Sequence, residues 1–119
     1  MWNSFLGKRL KAFKFAITGA YLLLRNEASI QVQAAISILT IIAGLYFEIS
    51  NIEWMIQILA IGLVLGIEGL NTAVEEIADF VHPDYHGKIG FIKDVAAGAV
   101  FFAAVTAVII GCFIYIPKL

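Results

Sequence analysis

Three long apolar segments, at residues 28–47, 52–70 and 95–116, constrain the possible folds of this chain more than any other feature. Each is close to the roughly 20 helical residues that cross a bilayer core about 30 Å thick. Helices are expected, because no alternating strand pattern is visible and backbone groups in lipid must bond within their own segment. The sequence therefore predicts an all-α membrane protein with three transmembrane helices in one domain, residues 1–119.

The composition supports this prediction. Hydrophobic residues make up 61% of the chain and charged residues 14%, whereas a soluble domain has about 45–50% and about 25%. A soluble domain of this size could not hide so much apolar surface from water. The net charge of −1 provides no overall attraction to nucleic acid, so nucleic acid is not an expected partner.

The N-terminal segment, residues 1–25, has a different pattern. Its apolar side chains recur at spacings of three and four, and basic side chains lie between them. The apolar set is Trp2, Phe5, Leu6, Leu10, Phe13 and Ile17, and the basic set is Lys8, Arg9, Lys11 and Lys14. This pattern predicts an amphipathic helix that lies in the membrane interface. The helix is either an anchor alone or an anchor that also contributes to an active site.

The charges of the connecting segments predict an orientation. The 48–53 connection has no Lys or Arg, whereas the N-terminal arm is basic and the 76–94 segment contains Lys88 and Lys93. Cytoplasmic segments collect positive charge, so the N-terminus and residues 76–94 are expected in the cytoplasm. Pro83 is expected to end the second helix near residue 81 or 82, and the third helix is expected to begin around residues 91–93.

A stripe of polar residues marks the cytoplasmic end of the second span. Glu68 and Glu75 are seven residues apart, so they share one face of a helix. Asn71 lies between them, Asp79 continues the line by one turn, and Glu76 points elsewhere. The spacing therefore predicts that three carboxylates and one amide line a helix that is otherwise apolar.

Glu68 is the most unusual member of this stripe. It follows an uncharged run over residues 54–67, so it is expected at the hydrocarbon boundary. An ionisable group there costs roughly 2.5–3.5 kcal/mol on insertion scales, which makes it a candidate for function. It could serve as a general base, or it could be a structural carboxylate bonded across helices. The alignment with Asn71, Glu75 and Asp79 favours function.

Phosphoryl transfer is one chemistry that such a stripe could perform. Mg²⁺ is commonly held by one or two carboxylates together with phosphate oxygens. Glu27 precedes the first span at the level of Glu75, so the two carboxylates could meet across helices. Lys88 and Lys93, the latter beside Asp94, are candidate cationic partners. Phosphoryl transfer needs positioning and charge neutralisation, which these residues would supply.

Two other classes of function are open at this point. A small oligomeric channel or transporter would use Glu68 in an ion path, and it predicts polar residues deeper in the spans. A purely structural membrane subunit would not need Glu27, Glu68, Glu75 and Lys93 at one level. Three spans make a thin bundle whose polar residues must be covered, so a homo-oligomer is expected under each hypothesis.

The combined motif resembles the prokaryotic diacylglycerol kinase family, which includes the undecaprenol kinases. The motif is Glu68-x-x-Asn71-Thr-Ala-x-Glu75-x-x-x-Asp79, followed by His86 and by Lys93-Asp94-x-Ala-Ala-Gly-Ala-Val, with Asn26-Glu27-Ala28 upstream. The resemblance covers nearly the whole chain. It implies a homotrimeric lipid kinase of the bacterial inner membrane that uses MgATP. Its active sites would lie on the cytoplasmic side and be shared between subunits.

The resemblance also implies roles for individual residues. Glu68 would be the base that deprotonates the lipid hydroxyl, with Asn71 supporting it. Glu27 and Glu75 would bind Mg²⁺, and Asp79 would support the site. The nucleotide contacts would come from Lys8, Glu27, Glu75, Tyr85, His86, Lys93 and Asp94, with Lys93 on the phosphates.

The acceptor implied by the resemblance is undecaprenol or diacylglycerol, and the product is undecaprenyl phosphate or phosphatidic acid. Ile52-Glu53-Trp54-Met55 and the ending Ile116-Pro-Lys-Leu119 look more like the undecaprenol kinase branch, which favours undecaprenol. The chain departs from some members at Phe15, where they have a nucleotide-contacting tyrosine.

Overall fold

The computed structural model describes residues 4–84 and 86–119. These residues form four α-helices and no strand, so the prediction of an all-α protein is confirmed. The helices are α1 (Phe5–Asn26), α2 (Ala28–Phe47), α3 (Asn51–Val81) and α4 (Gly87–Tyr115), and a 3₁₀ turn follows at Ile116–Lys118.

Three of these helical stretches are long and apolar enough to cross a membrane, at Ala28–Phe47, Asn51–Val81 and Gly87–Lys118. The 31 residues of α3 and the 29 of α4 give each helix a length of roughly 45 Å at 1.5 Å per residue. That length exceeds a hydrocarbon core of about 30 Å. The ends of α3 and α4 can therefore extend past the apolar layer as helix.

The predicted start of the third transmembrane helix, which is α4, was wrong. The helix α4 begins at Gly87, not around residues 91–93. The reason is a cap: the backbone N–H of Lys88 donates a 3.0 Å hydrogen bond to Nδ1 of His86, so the helix can start before the apolar run. The end of α3 at Val81, two residues before Pro83, agrees with the prediction. Much of residues 76–94 is consequently helical.

The turn between α2 and α3 is tight. Glu48 adopts a left-handed conformation, with φ 52° and ψ 54°. The side chain of Ser50 and that of Glu53 then cap α3 reciprocally. Trp54 lies directly on Gly44, where a Cβ atom would come within 2.7 Å of the indole ring. These contacts fold α2 back along α3.

A polar cluster of Thr40, Gln57 and Tyr115 joins α2, α3 and α4 at the end of the protein where this turn lies. The Tyr115 hydroxyl donates a 2.5 Å hydrogen bond to Oε1 of Gln57, and Nε2 of Gln57 donates to the Thr40 carbonyl at 3.3 Å. Lys118 and Glu53 form an ion pair of 3.2 Å nearby. The end of α4 is thereby held beside the start of α3, so these helices are antiparallel.

The helix α1 extends away from the other three. The protein measures 49 × 47 × 21 Å, and antiparallel helices of roughly 45 Å account for only one of the two long dimensions. The apolar side chains predicted for its membrane face are exposed: Phe5, Leu6, Leu10, Phe13 and Ile17. Trp2, also assigned to that face, lies outside the described residues. This arrangement agrees with a helix that lies across the spans and rests on lipid.

Candidate active site

The topology brings one end of each helix together. Leu23, near the end of α1, contacts Gly69 on α3, where a Cβ atom would lie 3.0 Å from Leu23 Cδ1. Gly69 adjoins Glu68, and Leu23 lies four positions before Glu27. Because α2, α3 and α4 run up and down, Glu27 lies at the same end as Glu75 and as the start of α4.

Glu68 is buried, with 8% of its surface exposed. It continues the buried face of α3 that begins with Gln57, Ala60 and Val64. Its carboxylate makes no hydrogen bond or ion pair with another residue of the ranges 4–84 and 86–119. Its backbone carbonyl accepts a 3.2 Å hydrogen bond from Oγ1 of Thr72. Among the described residues, the one fully enclosed side-chain oxygen without a partner is that of Asn71, so the Glu68 carboxylate is still open to a group from outside the chain.

Asn71 connects the Glu68 region with Glu75. Its Nδ2 atom donates a 3.1 Å hydrogen bond to Oε1 of Glu75, one helical turn away. Its Oδ1 atom is buried and has no hydrogen-bond partner in the described part of the chain. The amide therefore keeps one acceptor that no described residue uses.

Lys93 extends from α4 to the far end of the stripe. Its Nζ atom lies 2.6 Å from Oδ1 of Asp79 on α3. The two side chains are 38% and 58% exposed, so both remain accessible to a solute. An ammonium group thus lies one turn from Glu75, beside the end of the stripe that faces water.

Glu27 occupies the corner between α1 and α2. Its backbone is extended, with φ −105° and ψ 115°, and its N–H donates a 3.1 Å hydrogen bond to the Leu23 carbonyl. Gln31 fixes this corner, because its Nε2 atom donates to the carbonyls of Leu24 and Arg25 at 3.1 and 3.0 Å. Gln31 had no predicted role. A polar amide within the first turn of an apolar span was the available signal.

The structure brings only some of the other residues predicted to contact the nucleotide to this end of the protein. His86 is exposed at the start of α4, with its ring 5.4 Å from that of His82. Asp94 is exposed beside Lys93. Tyr85 lies outside the described residues. Lys8 lies near the opposite end of α1 from Glu27, roughly 28 Å away along the helix at 1.5 Å per residue, so one chain does not bring Lys8 to the site.

Glu27 and Glu75 are carboxylates of the kind that hold Mg²⁺ when phosphate oxygens supply its other ligands. Within residues 4–84 and 86–119, no group of three or more His, Cys, Asp or Glu side chains is arranged to hold a metal ion. Glu27 and Glu75 still offer oxygen atoms at the same end of the protein, and Mg²⁺ often takes one or two carboxylates with its other ligands from water and phosphate. The residues therefore fit a magnesium ion that is bound together with a nucleotide.

Several polar residues inside the spans line one groove. A groove of about 320 Å³ lies between α2, α3 and α4, and the polar Gln33, Ser37 and Gln57 contribute to its lining. The amide of Gln57 is already bonded to Tyr115 and Thr40. Between Gln57 and Glu68, the buried face of α3 consists of Ala60 and Val64, which are apolar.

Comparison with known proteins is consistent with this geometry. The family described as prokaryotic diacylglycerol kinase matches residues 14–115. The undecaprenol kinase of Bacillus subtilis (strain 168) is 40% identical over 114 residues, which cover 96% of this chain and 93% of the relative. The diacylglycerol kinase of Escherichia coli (strain K12) is 29% identical over 89 residues, which cover 75% of this chain and 73% of that protein.

A third relative, the diacylglycerol kinase of Synechocystis sp. (strain ATCC 27184 / PCC 6803 / Kazusa), is 32% identical over 111 residues, covering 92% of this chain and 63% of that protein. The resemblance inferred from the Glu68–Asp79 and Lys93-Asp94 motifs is confirmed. Three apolar helices and these relatives also identify a multi-pass membrane protein. The chain belongs to the prokaryotic diacylglycerol kinase family.

Proposed function

We propose that this protein is a lipid kinase that transfers the γ-phosphate of MgATP to the hydroxyl group of a membrane lipid. The observation that carries the proposal is a glutamate with 8% of its surface exposed, Glu68, in line with the exposed Glu75 two turns away and with the Asp79–Lys93 ion pair at the outer end of the same stripe. A lipid hydroxyl and a soluble nucleotide can meet only at such a boundary. The family assignment supports the same reaction.

In this proposal Glu68 removes the proton from the lipid hydroxyl. The alcohol oxygen then forms a bond to the γ-phosphorus, the bond between that phosphorus and the bridging oxygen breaks, and ADP leaves. Glu68 has no partner to displace within the described chain, so its carboxylate is available as an acceptor. Asn71, one turn from Glu68 on α3, would support the base, and its Oδ1 atom has no hydrogen-bond partner in the described chain.

The other residues bind and orient the nucleotide. Glu27 and Glu75 would hold Mg²⁺, which neutralises phosphate charge when it is bound. Lys93 would contact the phosphates, and Tyr85, His86 and Asp94 would contact the rest of the nucleotide. Such catalysis consists mainly of positioning and charge stabilisation.

Undecaprenol is the acceptor that we favour, with undecaprenyl phosphate as the product. The relative named undecaprenol kinase is 40% identical over 96% of this chain, whereas the Escherichia coli (strain K12) relative named diacylglycerol kinase is 29% identical over 75%. The alternative acceptor is diacylglycerol, which would give phosphatidic acid for phospholipid synthesis.

We further propose a homotrimer in the bacterial inner membrane, with the N-terminus and the active site in the cytoplasm. Large apolar side chains are exposed along every span, including Leu39, Leu59 and Phe102. Lipid and neighbouring subunits would cover them. Lys8 is distant from Glu27 in its own chain, so in this assembly it would serve the site of a neighbouring subunit.

A transfer assay tests the proposal. The purified protein in lipid would receive ATP labelled at the γ-phosphate, Mg²⁺, and either undecaprenol or diacylglycerol. The proposal predicts label in the lipid product, more rapidly with undecaprenol. Faster labelling of diacylglycerol would overturn the choice of acceptor, and no labelled lipid with either acceptor would overturn the kinase.

A channel or transporter with Glu68 in an ion path receives no support from the arrangement of the spans. The residues that precede Glu68 on its face of α3 are Val64 and Ala60, and the amide of Gln57 is occupied by Tyr115. Ion flux across sealed vesicles would still be measured, because flux that is lost in Glu68→Gln would favour that function.

A further inference from the structure

Asp79 and Lys93 form the one ion pair between α3 and α4 at the active-site end of the chain as described. Their contact of 2.6 Å joins residues 14 positions apart, across the turn that separates the two helices. A lysine ammonium has three N–H donors and no acceptor. One donor directed at Asp79 leaves the others available for phosphate oxygens.

The position of Asp79 determines where the ammonium can lie. Asp79 follows Glu75 by four residues on one helix, so the two carboxylates are neighbours on the same face. Oε1 of Glu75 accepts a hydrogen bond from Nδ2 of Asn71. Because Lys93 pairs with Asp79, its ammonium lies at the outer end of the stripe, near Glu75 and away from the buried Glu68.

The ion pair with Asp79 restricts the long, flexible side chain of Lys93. Lysine has four carbons between its backbone and its charge, and its rotamer entropy is about 2 kcal/mol. A residue that restricts the ammonium before the nucleotide arrives lowers the entropy that binding must overcome. Within the described ranges, Asp79 is the only side chain that forms a hydrogen bond or ion pair with Lys93.

A structural role alone explains the pair poorly. Exposed ion pairs contribute about 0–1 kcal/mol to stability, and both of these side chains are more than one-third exposed. The helices α3 and α4 are already joined at their other end by the Gln57–Tyr115 hydrogen bond and the Glu53–Lys118 ion pair. The hairpin therefore does not need Asp79 to keep its helices together.

We propose that Asp79 is a positioning residue that holds the Lys93 ammonium in place for the phosphates of the incoming nucleotide. This inference rests on the proposed kinase function. Asp79 itself does not contact the substrate. The Asp79 carboxylate acts through Lys93, so substitution of Asp79 should have little effect once the Lys93 ammonium has been removed by mutation.

A double-mutant cycle tests the inference. Asp79→Asn, Lys93→Met and the double variant would be compared with the unaltered protein, all in the same lipid. The first readout is the dissociation constant for Mg²⁺ with a non-hydrolysable ATP analogue, which does not require turnover. The second is the KM for MgATP against the KM for the lipid.

We expect Asp79→Asn to weaken binding of the analogue about five- to tenfold in the unaltered background and less than about twofold in Lys93→Met. The KM for MgATP should rise while that for the lipid stays unchanged. Asp79→Glu should recover most of the affinity, because it restores the carboxylate. Glu76→Gln is the matched control, since Glu76 is an exposed carboxylate on α3 that makes no ion pair with a described residue.

Several results would overturn the inference. Equal losses from Asp79→Asn in both backgrounds would show that Asp79 does not act through Lys93. A loss no larger than that of Glu76→Gln, or no recovery in Asp79→Glu, would contradict it as well. These outcomes leave the kinase proposal intact if the unaltered protein phosphorylates a lipid. The absence of any lipid product would instead overturn the kinase proposal and this inference with it.

Discussion

Asn71 donates a 3.1 Å hydrogen bond to Glu75, one turn further along α3, while its own amide oxygen is buried and has no partner among residues 4–84 and 86–119. The orientation of this amide is therefore set from the side of Glu75. Asn71 thus orients the carboxylate that is proposed to bind magnesium, three residues beyond the proposed base on the same helix.

Replacing Asn71 with Leu should reduce turnover without unfolding the protein. The hydrogen bond that orients Glu75, the proposed magnesium ligand, would be lost, and loss of such a supporting contact costs roughly 10- to 100-fold in activity. Stability should change little, because this exposed bond contributes only about 0.2–0.5 kcal/mol and the substitution also removes a buried acceptor that has no partner among the described residues. Lipid phosphorylation and thermal unfolding in detergent would be measured together. A severe loss of stability with normal turnover would contradict this account.

Glu75→Gln should raise the concentration of Mg²⁺ needed for half-maximal activity. The amide lacks the negative charge that a hard divalent cation prefers, so the shift should be about tenfold or more. Titration of activity with Mg²⁺ at fixed ATP would measure it. Glu76→Gln, on an adjacent residue directed elsewhere, provides the control. Superimposable titrations of Glu75→Gln and the unaltered protein would remove Glu75 from the metal site.

Tyr115→Phe should destabilise the helix bundle and leave catalysis nearly unchanged. The substitution removes the 2.5 Å hydrogen bond to Gln57, at the end of the protein opposite Glu68. Hydrogen bonds between membrane helices contribute on average about 0.6 kcal/mol and at most about 1.7 kcal/mol. Unfolding in mixed detergent would be compared with Tyr46→Phe, whose tyrosine is 79% exposed. Equal stability of the two variants would show that the Thr40–Gln57–Tyr115 cluster contributes nothing.

Gly44→Ala should also destabilise the protein. The new Cβ atom would lie 2.7 Å from the Trp54 ring and 3.1 Å from Ile49, so the hairpin between α2 and α3 would have to shift. Overpacking of this kind costs typically about 1–3 kcal/mol. Gly62→Ala is the control, because a Cβ atom there meets nothing within 4 Å. Thermal unfolding of both variants tests the prediction, and equal midpoints would contradict it.

Short-range patterns predicted much of this fold. The three spans follow from runs of apolar residues, and the Glu68–Asn71–Glu75–Asp79 stripe follows from helical spacing alone. The end of α3 followed from Pro83. The start of α4 did not, because the imidazole of His86 caps a helix that begins in a polar segment. No hydrophobic pattern marks that position.

Contacts between distant parts of the chain could not be predicted in the same way. Gln57 and Tyr115 are 58 residues apart, and nothing in either neighbourhood identifies the other as its partner. The Lys93–Asp79 pair and the hydrogen bonds from Gln31 to the end of α1 likewise depend on how the helices meet. The motif supplied the candidate residues, whereas the folded chain determines which of them touch.

The most direct test of the account is the rate at which Glu68→Gln transfers labelled γ-phosphate from ATP to the lipid, relative to the unaltered protein. The substitution keeps the size and polarity of the buried side chain and removes the base. General base catalysis contributes about 10²–10⁴-fold, so the rate should fall by at least about 100-fold, with helix content and affinity for the Mg²⁺–nucleotide analogue unchanged. A rate within about twofold of the unaltered protein, below the smallest contribution expected of a general base, would contradict the central claim.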